Sequence, residues 1–365
     1  MARKGDAYML ESKYLSPLAR GLTPYVPGEQ PRDQQYIKLN TNENPYPPSP
    51  RALAAIAGAS GSLARYPDPE CTAVRRAAAA LHGLAIEQVF AGNGSDEVLA
   101  LAFRALFNPA LPILFPDVTY SFYPVFSAFN ALQWQAVPLT PDWRIEPQDY
   151  DRPAGGMIIA NPNAPTGGLL PLPQLERLAD IAQARGCALI VDEAYVDFGG
   201  ESALPLIPRY DNVLVVRTLS KSHALAGLRV GYALGNPGLI DGLVRVKDSF
   251  NSYPLDSIAQ AVAAAALADG EYTRQSCQRV AATRDRFAAA LRQLGFDVPE
   301  SRANFVFALP PAPLAAGQLM ASLRARGVLV RHLSGPRTAP RLRISIGTDG
   351  EMDRVLEIIA EILRA

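Results

Sequence analysis

The chain of 365 residues balances 35 basic against 35 acidic side chains, and 48% of its residues are hydrophobic. This composition excludes a disordered, highly charged chain, and it offers no basic excess with which a nucleic-acid-binding protein would hold phosphates. A chain of this length can form about two domains with a large buried core. Only five of the basic residues are lysines, so each lysine is a candidate for a role that arginine cannot fill.

Three widely spaced cysteines, Cys71, Cys187 and Cys277, are odd in number and form no C-x-x-C motif. This spacing predicts neither a disulfide framework nor a zinc site, and no other metal site is expected. The first ten residues lack the apolar run of a signal peptide. The longest Ala-rich stretch, 259–268, is about half of the length that spans a bilayer. We therefore expect a cytoplasmic protein without membrane or nucleic-acid partners.

The first 49 residues are rich in Pro and Tyr and are predicted to form an extended arm. Between residues 50 and 254, short apolar runs alternate with amphipathic helical stretches such as 172–185, which predicts a large α/β domain with a mostly parallel sheet. The apolar runs are Gln88–Ala91, Ile113–Phe115, Met157–Ala160, Ala188–Val191, Val213–Val216 and Val230–Leu234.

After Pro254 the pattern changes, and residues 255–365 are predicted to form a smaller α+β domain. Ala-rich helical stretches are followed by apolar runs typical of strands, and a capping-box spacing at Thr348–Glu351 precedes a final helix. The predicted helices are 255–268, 271–294 and 315–326, and the predicted strands are Asn304–Leu309, Val328–His332 and Leu342–Ile346.

The motif TLSKSHALAGLRVG, residues 218–231, follows an apolar run and places Lys221 among hydroxyl and small side chains. A primary amine at the end of a buried strand suits Schiff-base chemistry, because a desolvated lysine loses its charge readily and becomes nucleophilic. The alternative is a surface lysine that keeps its amine in water. The other motifs favour the first interpretation.

The segment ALIVDEAYVDF places Asp192 and Glu193 at the end of another apolar run. Ligands bind at this end of strands in open α/β sheets, and a carboxylate there can pair with a protonated ring nitrogen. Adjacent strand residues point to opposite faces, so the sequence leaves open which carboxylate meets a ligand. Tyr195 could donate a hydrogen bond to the same ligand. The alternatives are a helix N-cap for Asp192 and core packing for Tyr195.

An anion site is predicted in AGNGSDEVLALAFRALF, residues 91–107, where a Gly-rich turn leads into a helix that opens at Ser95 or Asp96. Free backbone N–H groups and the helix dipole attract anions there, although Gly-Ser-Asp is also an ordinary helix start. Ser220 and Arg229, on either side of the motif around Lys221, could add phosphate ligands, since arginine can bind phosphate through two donors.

Two further segments are predicted to border the same crevice. Tyr120, in DVTYSFYPVF, could place its ring against a planar ligand, or it could be an aromatic core residue. The segment NPNAPTG, residues 161–167, ends an apolar run in a turn whose amides could face the crevice, or it could be only a turn.

Together these motifs resemble the class I and II aminotransferases of the fold-type I pyridoxal-phosphate superfamily. The segments PYVPGE, KLNTNENPY, RYPDPE, GNGSDE, NPNAPTG, DEAYVDF, TLSKSHALAGLRVG, NFVFA, GVLVRHL and LRISIG occur in the order of that family, so the resemblance covers nearly the whole chain. It implies a pyridoxal 5'-phosphate enzyme with a mostly parallel central sheet sandwiched by helices, a smaller α+β C-terminal domain and an extended N-terminal arm.

The resemblance also implies roles for individual residues. Lys221 would bind the cofactor as a Schiff base and move the substrate proton; Asp192, rather than Glu193, would hold the ring nitrogen, and Tyr195 the phenolic oxygen. Further cofactor contacts would come from Gly94, Ser95, Asp96, Tyr120, Ser220 and Arg229, and substrate contacts from Tyr25, Asn42, Arg331 and Arg343. Tyr66, in RYPDPE, would reach the cofactor phosphate of the other subunit, which implies a homodimer with shared sites.

One position departs from the family pattern. The family turn is commonly NPNNPTG, in which the Asn before PTG reaches the phenolic oxygen, and this chain has Ala164 there. We expect Asn163 to take over this contact. The alternatives are Asn161, or Tyr195 acting alone.

The implied reaction is amino transfer from glutamate to imidazole-acetol phosphate, which gives L-histidinol phosphate and 2-oxoglutarate. Arg331 and Arg343 could then bind a carboxylate in one half-reaction and a phosphate in the other, unless they are only surface charges. An aromatic-amino-acid transaminase and a threonine-phosphate decarboxylase are alternatives of the same fold. A non-catalytic cofactor-binding domain is a third, although the intact set of Lys221, Asp192 and Arg229 argues against it.

Overall fold

The computed structural model describes residues 12–31 and 33–364. The remaining residues of the predicted arm, and the start of the chain that bears on a signal peptide, lie outside this range. The strands are β1 Ile37–Leu39, β2 Val89–Gly92, β3 Ile113–Pro116, β4 Trp134–Val137, β5 Gly156–Ala160, β6 Leu189–Asp192, β7 Val213–Thr218, β8 Gly231–Gly235, β9 Phe305–Ala308, β10 Val328–His332 and β11 Leu342–Ser345. The helices are α1 Pro17–Gly21, α2 Pro50–Ala59, α3 Thr72–His82, α4 Gly94–Leu106, α5 Tyr123–Phe129, α6 Leu172–Ala184, α7 Pro237–Asp248, α8 Ser257–Leu267, α9 Gly270–Gln293, α10 Ala316–Ala325 and α11 Asp349–Arg364.

The larger sheet has the strand order β2-β8-β7-β6-β5-β3-β4. Strands β7, β6, β5, β3 and β4 run parallel, and β8 is antiparallel to both of its neighbours. Residues of α3, α6 and α8 pack on one face, and residues of α4, α5 and α7 pack on the other. The central strands are apolar along their length because both faces are covered. The predicted α/β class with a mostly parallel sheet is confirmed.

The smaller sheet has the order β1-β10-β11-β9 and shares a core with α9, α10 and α11. Strand β1 pairs in parallel with β10, whereas β10, β11 and β9 pair antiparallel. Strand β1 lies in the segment that the sequence predicts as an extended arm. A strand of three residues has too short a pattern to be recognised, and its partner lies about 290 residues further along the chain.

Helix α8 packs against α2 and α3 of the larger core, although the predicted second domain begins before it. Within α9, the residues that pack in the core of the smaller sheet start at Cys277. The first helix after residue 254 therefore packs on the larger core, and the division of the chain into domains at that residue stays a prediction.

No helix within residues 12–31 and 33–364 is long and apolar enough to cross a membrane. The cysteines Cys71, Cys187 and Cys277 are buried and unpaired.

Candidate active site

A pocket opens between the two sheets, at the carboxyl ends of the parallel strands. Asp192 is the last residue of β6, and Lys221 follows the end of β7. Arg331 of β10 and Arg343 of β11 line the pocket from the smaller sheet. The carboxyl ends of parallel strands are where open α/β folds bind ligands. The predicted site residues that line this pocket are Tyr25, Asn42, Ser95, Asp96, Tyr120, Asp192, Tyr195, Ser220, Lys221, Arg229, Arg331 and Arg343.

The amine of Lys221 lies inside this pocket. Its Nζ donates a hydrogen bond to the carbonyl oxygen of Thr41 at 3.0 Å and lies 5.9 Å from the centroid of the Tyr195 ring. Burial, and after it the positive charge of Arg343, lowers the pKa of Lys221 to about 8. A larger fraction of this amine is therefore neutral and nucleophilic near neutral pH than for a lysine in water.

The structure distinguishes the two adjacent carboxylates at the end of β6. Asp192 faces the pocket, where it accepts hydrogen bonds from the Tyr123 hydroxyl at 2.9 Å and the Ala194 N–H at 3.2 Å. Burial raises the pKa of Asp192 to about 6. Glu193 lies on the other face of the strand and forms a buried ion pair with Arg217 at 2.8 Å. Asp192 is therefore the carboxylate that can meet a ligand, and Glu193 has a structural partner.

An anion cradle is formed where α4 begins. Gly94 has a φ of +77°, and a Cβ added there would lie 2.4 Å from Nη2 of Arg229. Arg229 donates through Nη1 to the Ser220 hydroxyl at 3.3 Å and through Nη2 to the Asp96 carboxylate at 3.1 Å. Helix N–H groups, a hydroxyl and a guanidinium thus meet at one place, and this donor set suits a phosphate. The backbone angle favours glycine at position 94, and a Cβ there would displace the Arg229 guanidinium.

The ring of Tyr120 lines the pocket beside this cradle. Its hydroxyl donates to Oδ1 of Asp96 at 3.0 Å, and its ring packs edge-on against Tyr123 with centroids 5.6 Å apart. Both contacts fix the orientation of the ring. Tyr123 was not among the predicted site residues, because an aromatic residue in an amphipathic helix has the pattern of a core residue.

Arg331 and Arg343 stand directly opposite each other on the antiparallel strands β10 and β11. Nη2 of Arg343 donates to the carbonyl oxygen of Asn40 at 3.0 Å, while its Nε is buried with no hydrogen-bond partner in the structure. Nη2 of Arg331 donates to the carbonyl oxygen of Val26 at 3.1 Å. Two like charges across a strand pair repel each other, so this arrangement favours a bound anion.

Tyr25 and Asn42 enter the pocket from the segment that precedes α2. The Tyr25 ring packs against Phe122 with centroids 4.6 Å apart. The side-chain amide of Asn42 donates to the Tyr195 hydroxyl at 3.0 Å.

Asn163 is not among the residues that line the pocket, and its contacts do not support its predicted role as the replacement for the missing Asn. Its Nδ2 donates to Val118 O at 2.9 Å and to Thr166 Oγ1 at 3.0 Å, and its Oδ1 accepts from Thr119 Oγ1 at 2.9 Å. Asn161 is held in the same way, since its amide exchanges two hydrogen bonds with the backbone of Leu170. The residue of this turn that lines the pocket is Ala164, which has no polar side-chain atom.

Tyr66 lies outside the pocket of its own chain. Its side chain is 82% exposed and stacks on Tyr253 with centroids 4.7 Å apart. In the described part of the chain, no group of three or more His, Cys, Asp and Glu side chains could hold a metal ion.

The profile of the family "Aminotransferase class I and II" matches residues 34–359. A histidinol-phosphate aminotransferase of Acetobacter pasteurianus is 54% identical over 96% of this chain and 98% of its own length. Another, from Aromatoleum aromaticum, is 53% identical over 97% of this chain and its full length. Among solved structures, the histidinol-phosphate aminotransferase of Sinorhizobium meliloti in complex with pyridoxal-5'-phosphate is 28% identical and superposes with a TM-score of 0.86, covering 98% of this chain and 99% of that one.

Proposed function

The chain belongs to the class I and II aminotransferase family, and we propose that it transfers an amino group between L-histidinol phosphate and 2-oxoglutarate. The observation that carries the proposal is the pair Arg331 and Arg343, placed opposite each other in the pocket that holds Lys221. One half-reaction presents a carboxylate to this pair and the other presents a phosphate, and two adjacent guanidinium groups can bind either.

The enzyme uses pyridoxal phosphate, and the pocket residues fit each part of that molecule. The cradle at Gly94, Ser220 and Arg229, which a side chain at position 94 would fill, suits the phosphate. The buried carboxylate of Asp192 suits a protonated ring nitrogen, and the amine of Lys221 suits the aldehyde. When bound, the cofactor supplies an electron-withdrawing ring that accepts the electron pair of the substrate Cα–H bond.

The residues of the chain then have separable tasks. The Lys221 amine, with its lowered pKa, can take the proton from the substrate Cα and return it, because it is partly neutral near neutral pH. The Asp192 carboxylate keeps a positive charge on the ring nitrogen, and the hydrogen bond from Tyr123 holds that carboxylate in place. Arg331 and Arg343 orient the substrate through its anionic group.

Steady-state rates with three amino donors test the substrate. Histidinol phosphate, phenylalanine and threonine phosphate are each supplied with 2-oxoglutarate, and glutamate formation and release of CO2 are followed. We expect kcat/KM for histidinol phosphate to exceed that for phenylalanine by at least about tenfold, since a doubly charged phosphate can engage both guanidinium groups more fully than the singly charged carboxylate of phenylalanine. Absence of 2-oxoglutarate-dependent turnover of histidinol phosphate would overturn the proposal, and CO2 release from threonine phosphate would favour a decarboxylase.

The active unit is proposed to be a homodimer with shared active sites. Tyr66 is exposed and absent from its own pocket, and it stacks on Tyr253, which is 42% exposed. Phe250, three residues before Tyr253, is 76% exposed. Two exposed apolar side chains of α2, Leu53 and Ile56, add to the apolar surface of this half of the chain. Exposed apolar area of this kind is typical of a surface that another chain covers. A hydroxyl from Tyr66 of the partner subunit would add a donor to the phosphate cradle.

Subunit mixing tests the shared site. Tyr66→Phe and Lys221→Ala chains are each expected to have low activity, because each lacks one part of every site. After random mixing, about a quarter of wild-type activity is expected, since half of the dimers are mixed and each of these has one complete site. Activity that stays at the average of the two parent proteins would contradict sharing.

We propose the cytoplasm as the location of this reaction. The proposal is supported by three buried cysteines that form no disulfide, as is usual in a reducing compartment.

A further inference from the structure

The hydroxyl of Tyr195 faces the pocket with one hydrogen-bond partner among the residues that the structure describes, the side-chain amide of Asn42 at 3.0 Å. The Tyr195 ring packs edge-on against Phe305 with centroids 5.1 Å apart, which fixes the position of its oxygen. A phenol oxygen can accept hydrogen bonds and donates one. The direction of the hydroxyl hydrogen is therefore set by whichever group donates to the oxygen and whichever group accepts from it.

The side-chain amide of Asn42 can present only its N–H to Tyr195. The backbone N–H of Asn42 donates to the Ser345 hydroxyl at 2.9 Å, so the hydrogen of that hydroxyl is free to be donated elsewhere. Ser345 Oγ then donates to Oδ1 of Asn42 at 2.8 Å. With Oδ1 held by Ser345, the NH2 group must point at Tyr195.

The backbone of Asn42 is held just as firmly. Its carbonyl oxygen accepts from Nδ2 of Asn304 at 2.9 Å, and its φ of +56° lies in the left-handed region that asparagine tolerates better than most side chains. The residue is 1% exposed. Asn42 is thus a rigid donor, fixed from β11 and from the loop before β9, and not a side chain free to follow a substrate.

The turn of residues 161–167 contributes no competing side-chain donor on this side of the pocket. Ala164 lines the pocket there, and the amides of Asn161 and Asn163 are engaged elsewhere. Burial raises the pKa of Tyr195, which keeps its hydroxyl protonated and able to donate. On this side of the pocket, the Tyr195 hydroxyl is therefore a neutral donor available to an acceptor.

We propose that Asn42 is a positioning residue: by donating to the Tyr195 oxygen, it directs the Tyr195 hydroxyl hydrogen into the pocket, where it is donated to the phenolic oxygen of the cofactor. This inference rests on the cofactor chemistry of the proposed function. It changes the expected role of Asn42 from substrate contact to orientation of Tyr195, and it explains how the chain tolerates alanine at position 164.

The pH midpoint of the visible absorption band of the bound cofactor measures this hydrogen bond without any substrate. A donor to the phenolic oxygen withdraws electron density from it, so that the neighbouring protonated nitrogen is held less strongly and loses its proton at lower pH. Two variants test Asn42. Asn42→Gly deletes the donor and accepts the positive φ, and Asn42→Asp keeps the shape but turns the Tyr195 hydroxyl toward the new carboxylate.

Both variants are expected to raise the midpoint by about half to one pH unit, the size expected for one such hydrogen bond. The same substitutions in a Tyr195→Phe background are the matched control. The charged groups that face Tyr195 are Arg343, Asp192, Asp96 and Lys221, and they are common to all the variants. If Asn42 acts through the hydroxyl, Asn42→Gly should move the midpoint by less than about 0.2 units in that background.

Equal shifts with and without the Tyr195 hydroxyl would overturn the inference, as would an unchanged midpoint in both single variants. Thermal unfolding identifies a variant that does not fold, and Asn42→Asp, which preserves size and backbone preference, then carries the test. The midpoint does not depend on the amino donor. Lack of turnover with histidinol phosphate would therefore count against the proposed function and leave this inference standing.

Discussion

Replacing Gly94 by alanine tests the anion cradle most directly. The new Cβ would lie 2.4 Å from Nη2 and 3.0 Å from Cζ of Arg229, well inside van der Waals contact. The Arg229 guanidinium must therefore shift, which disturbs its hydrogen bonds to Asp96 and Ser220. The φ of +77° adds a backbone cost of about 1–2 kcal/mol for any residue with a Cβ.

The substitution affects function because the displaced guanidinium of Arg229 can no longer bind the phosphate. A hydrogen bond to a charged group contributes about 1.5–3 kcal/mol, which corresponds to a cofactor Kd raised by about 10- to 100-fold. The Kd is measured by titrating cofactor into the cofactor-free protein and following the visible band. Free energies of unfolding of the cofactor-free proteins separate the backbone cost from the loss of binding.

Gly227→Ala is the matched control, since Gly227 lies close to Arg229 in sequence but a Cβ there meets nothing within 4 Å. This variant should bind the cofactor as the wild type does. A Gly94→Ala protein with a cofactor Kd within twofold of wild type would refute the assignment of the cradle to phosphate.

Three further substitutions have expected outcomes. Arg343→Gln should raise KM for both substrates by at least about tenfold in steady-state assays. Arg343→Lys should have a similarly high KM, because the lysine ammonium lacks the paired donors of a guanidinium. A wild-type KM for either substrate in Arg343→Gln would contradict this prediction. Glu193→Gln should lower the free energy of unfolding in urea by about 2 kcal/mol, because buried Arg217 loses one of its two carboxylate partners and keeps only Asp197. Arg144→Ala at an exposed pair should change it by less than about 1 kcal/mol. Burial lowers the pKa of His82 to about 4, so as the pH falls this side chain is protonated in the unfolded chain before it is protonated in the folded chain. The free energy of unfolding should therefore decrease as the pH drops from about 6.5 to about 4. If His82→Gln leaves this pH dependence unchanged, His82 does not cause it.

The strands of the larger sheet could be predicted because burial on both faces leaves continuous apolar runs. Strand β4 could not, since Trp134, Gln135 and Ala136 are exposed at the sheet edge and have no such pattern. Strand β1 could not be predicted either, because it is held extended by pairing with β10, which lies far along the chain. Local pattern thus predicts the interior of a sheet better than its edges.

The same distinction applies to the site. Lys221 could be predicted because the residues that indicate its role lie next to it in a short motif. The end of an apolar run limited the candidate for the ligand-binding carboxylate to Asp192 and Glu193. Of these two, the family resemblance implied Asp192, and the structure agrees, since Glu193 is paired with Arg217. The contacts of Asn42 and Asn163 could not be predicted, since the contact from Asn42 to Tyr195 spans 153 positions and two partners of Asn163, Val118 and Thr119, lie in another loop. A motif reveals the chemical type of a polar side chain, whereas the tertiary fold determines which groups it contacts.

The facing arginines Arg331 of β10 and Arg343 of β11 affect the stability of the protein. Like charges held across a strand pair weaken the sheet that carries them, so the free protein gives up stability that a bound dianion restores. Neutralising one of the two should yield a protein that withstands heat better and catalyses worse. The smaller sheet is thus most stable while the enzyme is at work, and selection for robustness alone would remove the charges that selection for catalysis keeps.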